Sequence, residues 1–256
     1  MEYAMLLSVL AGLATGLGGL AAALLPTIDR KSLGASMGFA AGVMLCVSGV
    51  DMLPHAVGVY SGWMSPIKAL GAAASLFVLG GIAARALSGL LPDPRRLAGN
   101  RGEGRAAAAR TALVVALALA AHNLPEGMLT LLGGLENPAF GLRLAVAVAL
   151  HNIPEGIAVS VPMAYASRSR WKGAVWALAS GLAEPAGAIA AALLFRGALG
   201  PGLVNGSIAF IAGLMSGVSV FELLPGGLRT GGRRAAWLGV LVGAGGMLLG
   251  IWVLGD

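Results

Sequence analysis

The chain has 256 residues, of which 57% are hydrophobic and only 11% are charged, and its formal net charge is +6. Soluble domains carry about 25% charged residues, so this composition excludes an ordinary soluble protein and indicates an integral membrane protein. Cys46 is the single cysteine, which excludes an intramolecular disulfide.

Long apolar runs recur along the whole chain. About 20 apolar residues cross the hydrocarbon core as a helix, and we expect even the first run to be a retained span because it is too long for a signal-peptide core. We therefore predict an all-α integral membrane protein, a single transmembrane domain of residues 1–256 with eight transmembrane helices. These spans lie near 3–27, 33–57, 66–91, 108–133, 140–165, 172–195, 203–226 and 235–254.

The basic residues predict the orientation of these spans. All but three of the 17 Lys and Arg residues fall in or next to the loops after spans 1, 3, 5 and 7, and the exceptions are Lys68, Arg143 and Arg196. Cytoplasmic loops carry an excess of Lys and Arg, so these loops, including the 92–109 loop, are predicted to be cytoplasmic and both termini to lie outside. The positive charge then reflects topology, and we expect no nucleic-acid partner.

Spans 1 and 2 resemble spans 6 and 7. GLATGLG at Gly12–Gly18 matches GLAEPAG at Gly181–Gly187 with an offset of 169 residues. FAAGVM at residue 39 matches FIAGLM at residue 210 with an offset of 171, and the same offset aligns Asp51 with Glu222. Chance similarity of Ala/Gly-rich helices is the alternative, but an aligned acid-x-Leu-Pro is not generic. Because partners five spans apart face opposite ways, we predict an inverted repeat of spans 1–3 and 6–8 around spans 4 and 5, an arrangement typical of transporters.

Spans 4 and 5 each contain the motif HNxPEG, at His122–Gly127 and His151–Gly156. The His and Glu of one motif are four residues apart and share a helix face, while the Pro removes one helical hydrogen bond and predicts a kink. A single motif could be a kinked helix with a satisfied polar pair. Two copies near the middle of adjacent spans indicate a functional site, because ionisable groups in hydrocarbon are costly.

The residues of this site are predicted to bind a divalent first-row metal through nitrogen and oxygen ligands. Seven ligands are too many for one tetrahedral ion, so we predict two neighbouring ions bridged by Glu126 and Glu155. The candidate ligands are His122, Asn123, Glu126, His151, Asn152, Glu155 and, from span 6, Glu184.

Two acids followed by x-Leu-Pro are predicted to lie at the two mouths of the pathway. Asp51 is late in span 2 and should lie at the outer mouth, whereas Glu222 is late in span 7 and should lie at the inner mouth. His55 is a candidate metal collector near the entrance. Ordinary interfacial positions are the alternative for all three.

The doubled HNxPEG motif, the eight spans and Ala183-Glu184-Pro185 resemble the ZIP (Zrt/Irt-like) metal transporters, in the bacterial branch that has HNxPEG in both central spans. The resemblance implies one metal position made by His122, Glu126, His151 and Glu155, and another made by Asn123, Glu126, Asn152, Glu155 and Glu184. It implies import of zinc, or of iron, manganese, cobalt or cadmium, across the bacterial cytoplasmic membrane, commonly by a homodimer without a cofactor. It also suggests that spans 1, 4, 5 and 6 move against spans 2, 3, 7 and 8.

One departure from the family is the Arg-rich 92–109 loop, which has no histidine where many relatives carry several. Three other functions compete with metal import: an intramembrane protease, a di-metal oxidase and a metal exporter. An intramembrane zinc protease would need HExxH, which is absent. A di-metal carboxylate oxidase would use Glu-x-x-His pairs, whereas here each Glu follows its His by four residues. We therefore expect no enzyme, but a metal exporter remains an alternative because ligands do not encode direction.

Overall fold

The computed structural model describes residues 1–24, 29–90, 103–194 and 201–254. Within these ranges all of the regular secondary structure is helical, as expected in a bilayer, because a helix satisfies its own backbone hydrogen bonds. The helices are α1 (Glu2–Ala23), α2 (Arg30–Cys46), α3 (Leu53–Ser61), α4 (Pro66–Leu90), α5 (Glu103–Glu136), α6 (Pro138–Ser167), α7 (Arg170–Gly181), α8 (Ala183–Leu194), α9 (Pro201–Val218) and α10 (Leu224–Leu254).

Among the described residues, seven helical segments are long and apolar enough to cross a membrane, which confirms a multi-pass all-α membrane protein. The last of them, Ile208–Val253, has 46 residues, about twice the length that a single crossing requires. Gly232 interrupts its helical backbone with φ 82° and ψ 164°. Before Gly232 the helix runs antiparallel to α2, because Gly231 approaches the carbonyl of Arg30 and Gly226 contacts Met37.

After Gly232 the chain runs parallel to α2. Gly38 packs against Ala236, and Gly42 packs against Val240 and Ala244. The chain therefore reverses at Gly232, where the left-handed backbone conformation favours glycine.

Asp29 caps the start of α2. Its Oδ1 accepts hydrogen bonds from the backbone N–H and the hydroxyl of Ser32, both at 2.7 Å, and these bonds lower the pKa of the Asp29 carboxyl. Such a cap satisfies a backbone donor that the first helical turn leaves free.

Two π-helical segments surround the predicted mouth acids. Val47–Met52 joins α2 to α3 and contains Asp51, and Ser219–Leu223 joins α9 to α10 and contains Glu222. Pro54 and Pro225 are the second residues after these segments and cannot donate the usual helical hydrogen bond. The preceding N–H groups of Leu53 and Leu224 instead reach back five residues, to Ser48 and Ser219.

The central helices α5 and α6 differ from the predicted spans mainly at their ends. α5 begins at Glu103, so residues 103–109 of the predicted 92–109 loop are helical, whereas residues 91–102 lie outside the described part of the chain. Both helices continue through the motif prolines, Pro125 and Pro154.

The same close helix contacts occur twice in the structure. A Cβ added to Gly127 would overlap the carbonyl oxygen of Glu184, and a Cβ added to Gly156 would overlap that of Thr15. Gly127 and Gly156 are 29 residues apart, and Thr15 and Glu184 are 169 apart. We call residues counterparts when they are related by the offset 29 between α5 and α6, 169 between α1 and α7–α8, or 171 between α2–α3 and α9–α10.

Further contacts follow the same relation. Gly18 meets the carbonyl of Ile153, and its counterpart Gly187 meets that of Leu124. Gly12 and Gly181, which are counterparts of each other, are in mutual contact.

The outer helices repeat their contacts as well. Gly42 packs on the carbonyl of Val240, and its counterpart Gly213 packs on that of Phe77. Gly243 packs on the carbonyl of Phe39, and Gly80 packs on that of Phe210. In both comparisons a residue of α4 corresponds to a residue of α10 that lies 163 positions later, Phe77 to Val240 and Gly80 to Gly243. The sequence alone did not reveal this match.

Candidate metal centre

The two HNxPEG motifs face each other where α5 and α6 pack together. Their histidines, asparagines and glutamates are all buried, and so is Glu184 on α8, with no residue more than 7% exposed. The structure thus brings together all seven side chains that the sequence predicts as ligands. Burial of this many ionisable groups indicates function, because each costs free energy in a low-dielectric interior.

Glu126 lies between the two imidazoles. Its Oε1 is 3.0 Å from Nε2 of His122 and 2.9 Å from Nε2 of His151. The ring centroids of the two histidines are 6.1 Å apart. Glu155 approaches from the second motif, with its Oε1 3.7 Å from Nε2 of His122.

Donor atoms of His122, His151 and Glu155 all lie within 4.8 Å of one another. This spacing suits a single first-row cation, since metal–nitrogen and metal–oxygen bonds are about 2.0–2.2 Å long. These three side chains can therefore surround one ion, and Glu126 adjoins them, with its Oε1 within 3.0 Å of both imidazoles.

The asparagines point their amide groups toward α1, α7 and α8. Nδ2 of Asn152 donates to the carbonyl of Ala11 at 2.9 Å and to Oε2 of Glu184 at 2.8 Å. Nδ2 of Asn123 donates to the carbonyl of Ser180 at 3.2 Å. These bonds orient both amides so that their oxygens stay available as acceptors or ligands.

Several buried oxygens of the site have no hydrogen-bond partner among the described residues. They are Oδ1 of Asn123, Oε2 of Glu126, Oδ1 of Asn152, both carboxylate oxygens of Glu155 and Oε1 of Glu184. A buried polar atom without a partner is costly, whereas oxygens of this kind can act as ligands to bound cations. The donor set therefore fits a divalent metal with nitrogen and oxygen ligands.

A cavity of about 150 Å³ connects this site to the predicted entrance. Asp51 and His55 line the cavity together with His122, Glu126 and His151. The structure therefore brings both entrance candidates into the same space as three of the ligands.

Glu222 has an ion-pair partner that the sequence analysis missed. Both of its carboxylate oxygens lie 2.8 Å from a guanidinium nitrogen of Arg110 on α5, and Arg110 also donates to the carbonyl of Ser88. Glu222 and Arg110 line a second cavity of about 90 Å³, whose lining contains none of the seven predicted ligands. No signal in the sequence links these two residues, which are 112 positions apart.

Acids and imidazoles buried together in membrane-crossing helices, with a cavity that reaches them, define a membrane transporter of divalent cations. The chain belongs to the ZIP family, because the family model described as ZIP Zinc transporter matches residues 96–250. This membership confirms the resemblance and the transporter class, and with it the prediction that the chain is not an enzyme.

Curated relatives agree over nearly the whole chain. The chain is 41% identical over 251 residues to the zinc transporter ZupT of Corynebacterium glutamicum, and the match covers 95% of both chains. It is 37% identical to the ZupT of Chlorobium chlorochromatii, covering 94% of this chain and 93% of the relative. It is 34% identical to the zinc transporter ZTP29 of Arabidopsis thaliana, covering 95% of this chain and 91% of the relative.

Proposed function

We propose that this protein carries divalent metal cations, zinc above all and also iron, manganese, cobalt or cadmium as candidate substrates, into the cytoplasm through a two-metal site between α5 and α6. The observation that carries the proposal is the placement of Glu126 within 3.0 Å of both His122 and His151. The names of the curated relatives, which are zinc transporters, support zinc as the substrate. No cofactor takes part, because the metal is the cargo.

The first metal position is made by the histidines and glutamates of the two motifs, His122, Glu126, His151 and Glu155. The second is made by Asn123, Glu126, Asn152, Glu155 and Glu184. The unpartnered oxygens of the second set support it. Three acids opposite two divalent cations keep the loaded site near electrical neutrality, which is favourable in hydrocarbon.

We infer that one transporter domain, residues 1–256, crosses the membrane eight times in a 3+2+3 arrangement. The chain reversal at Gly232 supports two crossings within the last long segment. The repeated contacts between counterparts support an inverted repeat, because an approximate two-fold axis would bring Gly12 and Gly181 into mutual contact. Such an axis lying in the membrane plane is common in transporters.

Two groups of helices are proposed to move against each other. Close glycine contacts join α1, α5, α6, α7 and α8 to one another, and others join α2 to α10 and α4 to α9. A moving unit that contains the whole metal site could expose it to each side in turn. Arg110 belongs to α5, and Glu222 lies between α9 and α10. Their ion pair therefore joins one group to the other.

The proposed location is the bacterial cytoplasmic membrane, with both termini outside and a homodimer as the assembly. The excess of Lys and Arg in alternate loops supports this orientation. In this orientation the Asp51 cavity opens outward and the Arg110–Glu222 pair faces the cytoplasm.

Transport by the purified protein in liposomes tests the proposal. Zinc should enter protein-containing vesicles faster than empty ones, and a panel of divalent metals should give the order of preference. Expression in cells distinguishes import from export, since an importer raises the zinc content of the cell and an exporter lowers it. No metal flux in either system would refute the proposed function.

The proposed topology predicts the labelling of single cysteines by an impermeant thiol reagent. Gly62→Cys, in the turn between α3 and α4, should react in intact cells, because that turn lies outside. Arg170→Cys, at the exposed start of α7, should react only after the membrane is opened. Cys46 is buried, and the parent protein without new cysteines is the control. The reverse labelling pattern would overturn the orientation.

The two mouth acids should affect different kinetic constants. Asp51→Asn should raise the half-saturating external zinc concentration and leave the maximal rate largely intact, because Asp51 attracts cations at the entrance. Glu222→Gln should instead lower the maximal rate, since it leaves the partly buried Arg110 cation without its carboxylate partner beside the exit route. Zinc uptake measured over a range of concentrations separates the two effects.

The double variant Arg110→Gln with Glu222→Gln is the matched control for that comparison. It removes the unpaired cation, so part of the maximal rate lost in Glu222→Gln should return. Identical kinetic changes in Asp51→Asn and Glu222→Gln would contradict separate entrance and exit roles.

A further inference from the structure

The proposed ligands come in counterpart pairs with one exception. His122 pairs with His151, Asn123 with Asn152 and Glu126 with Glu155, each 29 residues apart. Glu184 is the exception, and its counterpart at the offset of 169 is Thr15. We propose that Thr15 is a further ligand of the second metal position, binding the cation through its hydroxyl from the side opposite Glu184. This inference rests on the two-metal site of the proposed function.

The backbones of Thr15 and Glu184 occupy matching places. The carbonyl of Glu184 packs on Gly127 and that of Thr15 packs on its counterpart Gly156. A Cβ added to Gly12 would lie 3.2 Å from the Cβ of Glu184, and one added to Gly181 would lie 2.9 Å from the Cβ of Thr15. The two side chains thus start from equivalent points on either side of the contact between Gly12 and Gly181.

The surroundings of the two side chains also correspond. Asn152, which donates to Glu184, also donates to the carbonyl of Ala11. Its counterpart Asn123 donates to the carbonyl of Ser180, the counterpart of Ala11. By the same relation, Thr15 corresponds to Glu184 and Asn123 corresponds to Asn152. Threonine is two atoms shorter than glutamate, so a bound cation rather than a direct hydrogen bond can join the Thr15 hydroxyl to Asn123.

The hydroxyl of Thr15 is buried without a hydrogen-bond partner among the described residues. A helical threonine commonly donates to the carbonyl four residues earlier, but here that carbonyl, of Ala11, accepts from Asn152. Unpartnered buried oxygens also occur on each of the five residues of the proposed second position. Thr15 raises the number of oxygen-bearing side chains to six, the number that an octahedral cation requires.

Zinc titration of the purified protein by calorimetry tests the role of the hydroxyl. Thr15→Val keeps the shape of the side chain and removes its oxygen, so it should weaken one of the two zinc-binding events by about 10-fold and leave the other unchanged. Thr15→Ser keeps the oxygen and should behave as the parent protein.

Ser8→Ala is the matched control. Ser8 lies on the same helix, and its hydroxyl is equally buried and without a partner among the described residues, but its counterpart, Ala177, is not a ligand. This variant should bind zinc as the parent protein does.

Exchanging the two side chains tests the geometry. Glu184→Thr alone should abolish zinc binding at the second position, because that position loses the one carboxylate that it does not share with the first. The double variant Thr15→Glu with Glu184→Thr moves the acid to the opposite side of the same position, and Gly181 faces it there as Gly12 faces Glu184. Two zinc ions per chain should therefore bind again.

Each outcome decides a separate question. If the parent protein does not bind two zinc ions, the proposed two-metal site is refuted. If it binds two and Thr15→Val binds both with unchanged affinity, the inference about Thr15 is wrong. Should Thr15→Val fail to fold, the exchange variant decides: one zinc ion per folded chain would overturn the inference, and two would support it.

Discussion

Replacing Glu126 with alanine should abolish zinc transport, with a loss of more than about 100-fold in uptake rate. The proposed site assigns Glu126 to both metal positions, and its Oε1 is the atom closest to both imidazoles. Removal of a partner that only orients a ligand typically costs 10–100-fold in affinity, so loss of a shared ligand should cost more. Uptake of zinc into proteoliposomes measures the effect.

Other carboxylates of the chain provide the comparison. Glu155→Ala should be as severe as Glu126→Ala, because Glu155 also serves both positions. Glu184→Ala should retain some transport, because Glu184 serves only one. Glu2→Gln changes an exposed acid near the N-terminus and should transport normally. Equal losses in Glu126→Ala, Glu155→Ala and Glu184→Ala would contradict a site with shared and unshared ligands.

The local pattern was enough to predict which side chains meet at the site. His122 and Glu126 are one helical turn apart, so their proximity follows from helix geometry, and the short turn between spans 4 and 5 places the second motif opposite the first. Glu184 was already a candidate ligand as an acid within span 6, and the family resemblance assigned it to the second position.

Contacts between distant segments could not be predicted in the same way. Nothing in the residues near Glu222 indicates Arg110 as its partner, because the pair depends on how α5 packs against α9 and α10. The π-helical segments also escaped prediction. The proline three residues after each mouth acid predicts a lost helical hydrogen bond. It does not predict whether the helix kinks or shifts to hydrogen bonds that span five residues.

The final Gly of each HNxPEG motif has a role that the sequence did not suggest. Gly127 and Gly156 do not offer a ligand, but they allow the backbones of α8 and α1 to approach α5 and α6, the helices that carry most of the proposed ligands. At Gly127 the approaching group is the carbonyl of Glu184 itself. The motif therefore sets both the ligands and the distance between helices.

This role predicts a large effect for Gly127→Ala. The added methyl group would overlap a backbone carbonyl, which cannot rotate away as a flexible side chain can, so α5 and α8 must separate. Overpacking of this kind costs about 1–3 kcal/mol, and the separation would also withdraw Glu184 from the metal site. The melting temperature of the detergent-solubilised protein should fall clearly, and zinc affinity should fall with it.

Gly71→Ala is the matched control, because Gly71 lies within α4 and an added Cβ would have no neighbour within 4 Å. Alanine is a better helix former than glycine by about 0.5–1 kcal/mol, so this variant should be as stable as the parent or slightly more stable. Gly156→Ala should lower the melting temperature as Gly127→Ala does, because it meets the carbonyl of Thr15 in the same way. If Gly127→Ala and Gly71→Ala melted at the same temperature, close approach of α8 to α5 would not be what the motif glycine provides.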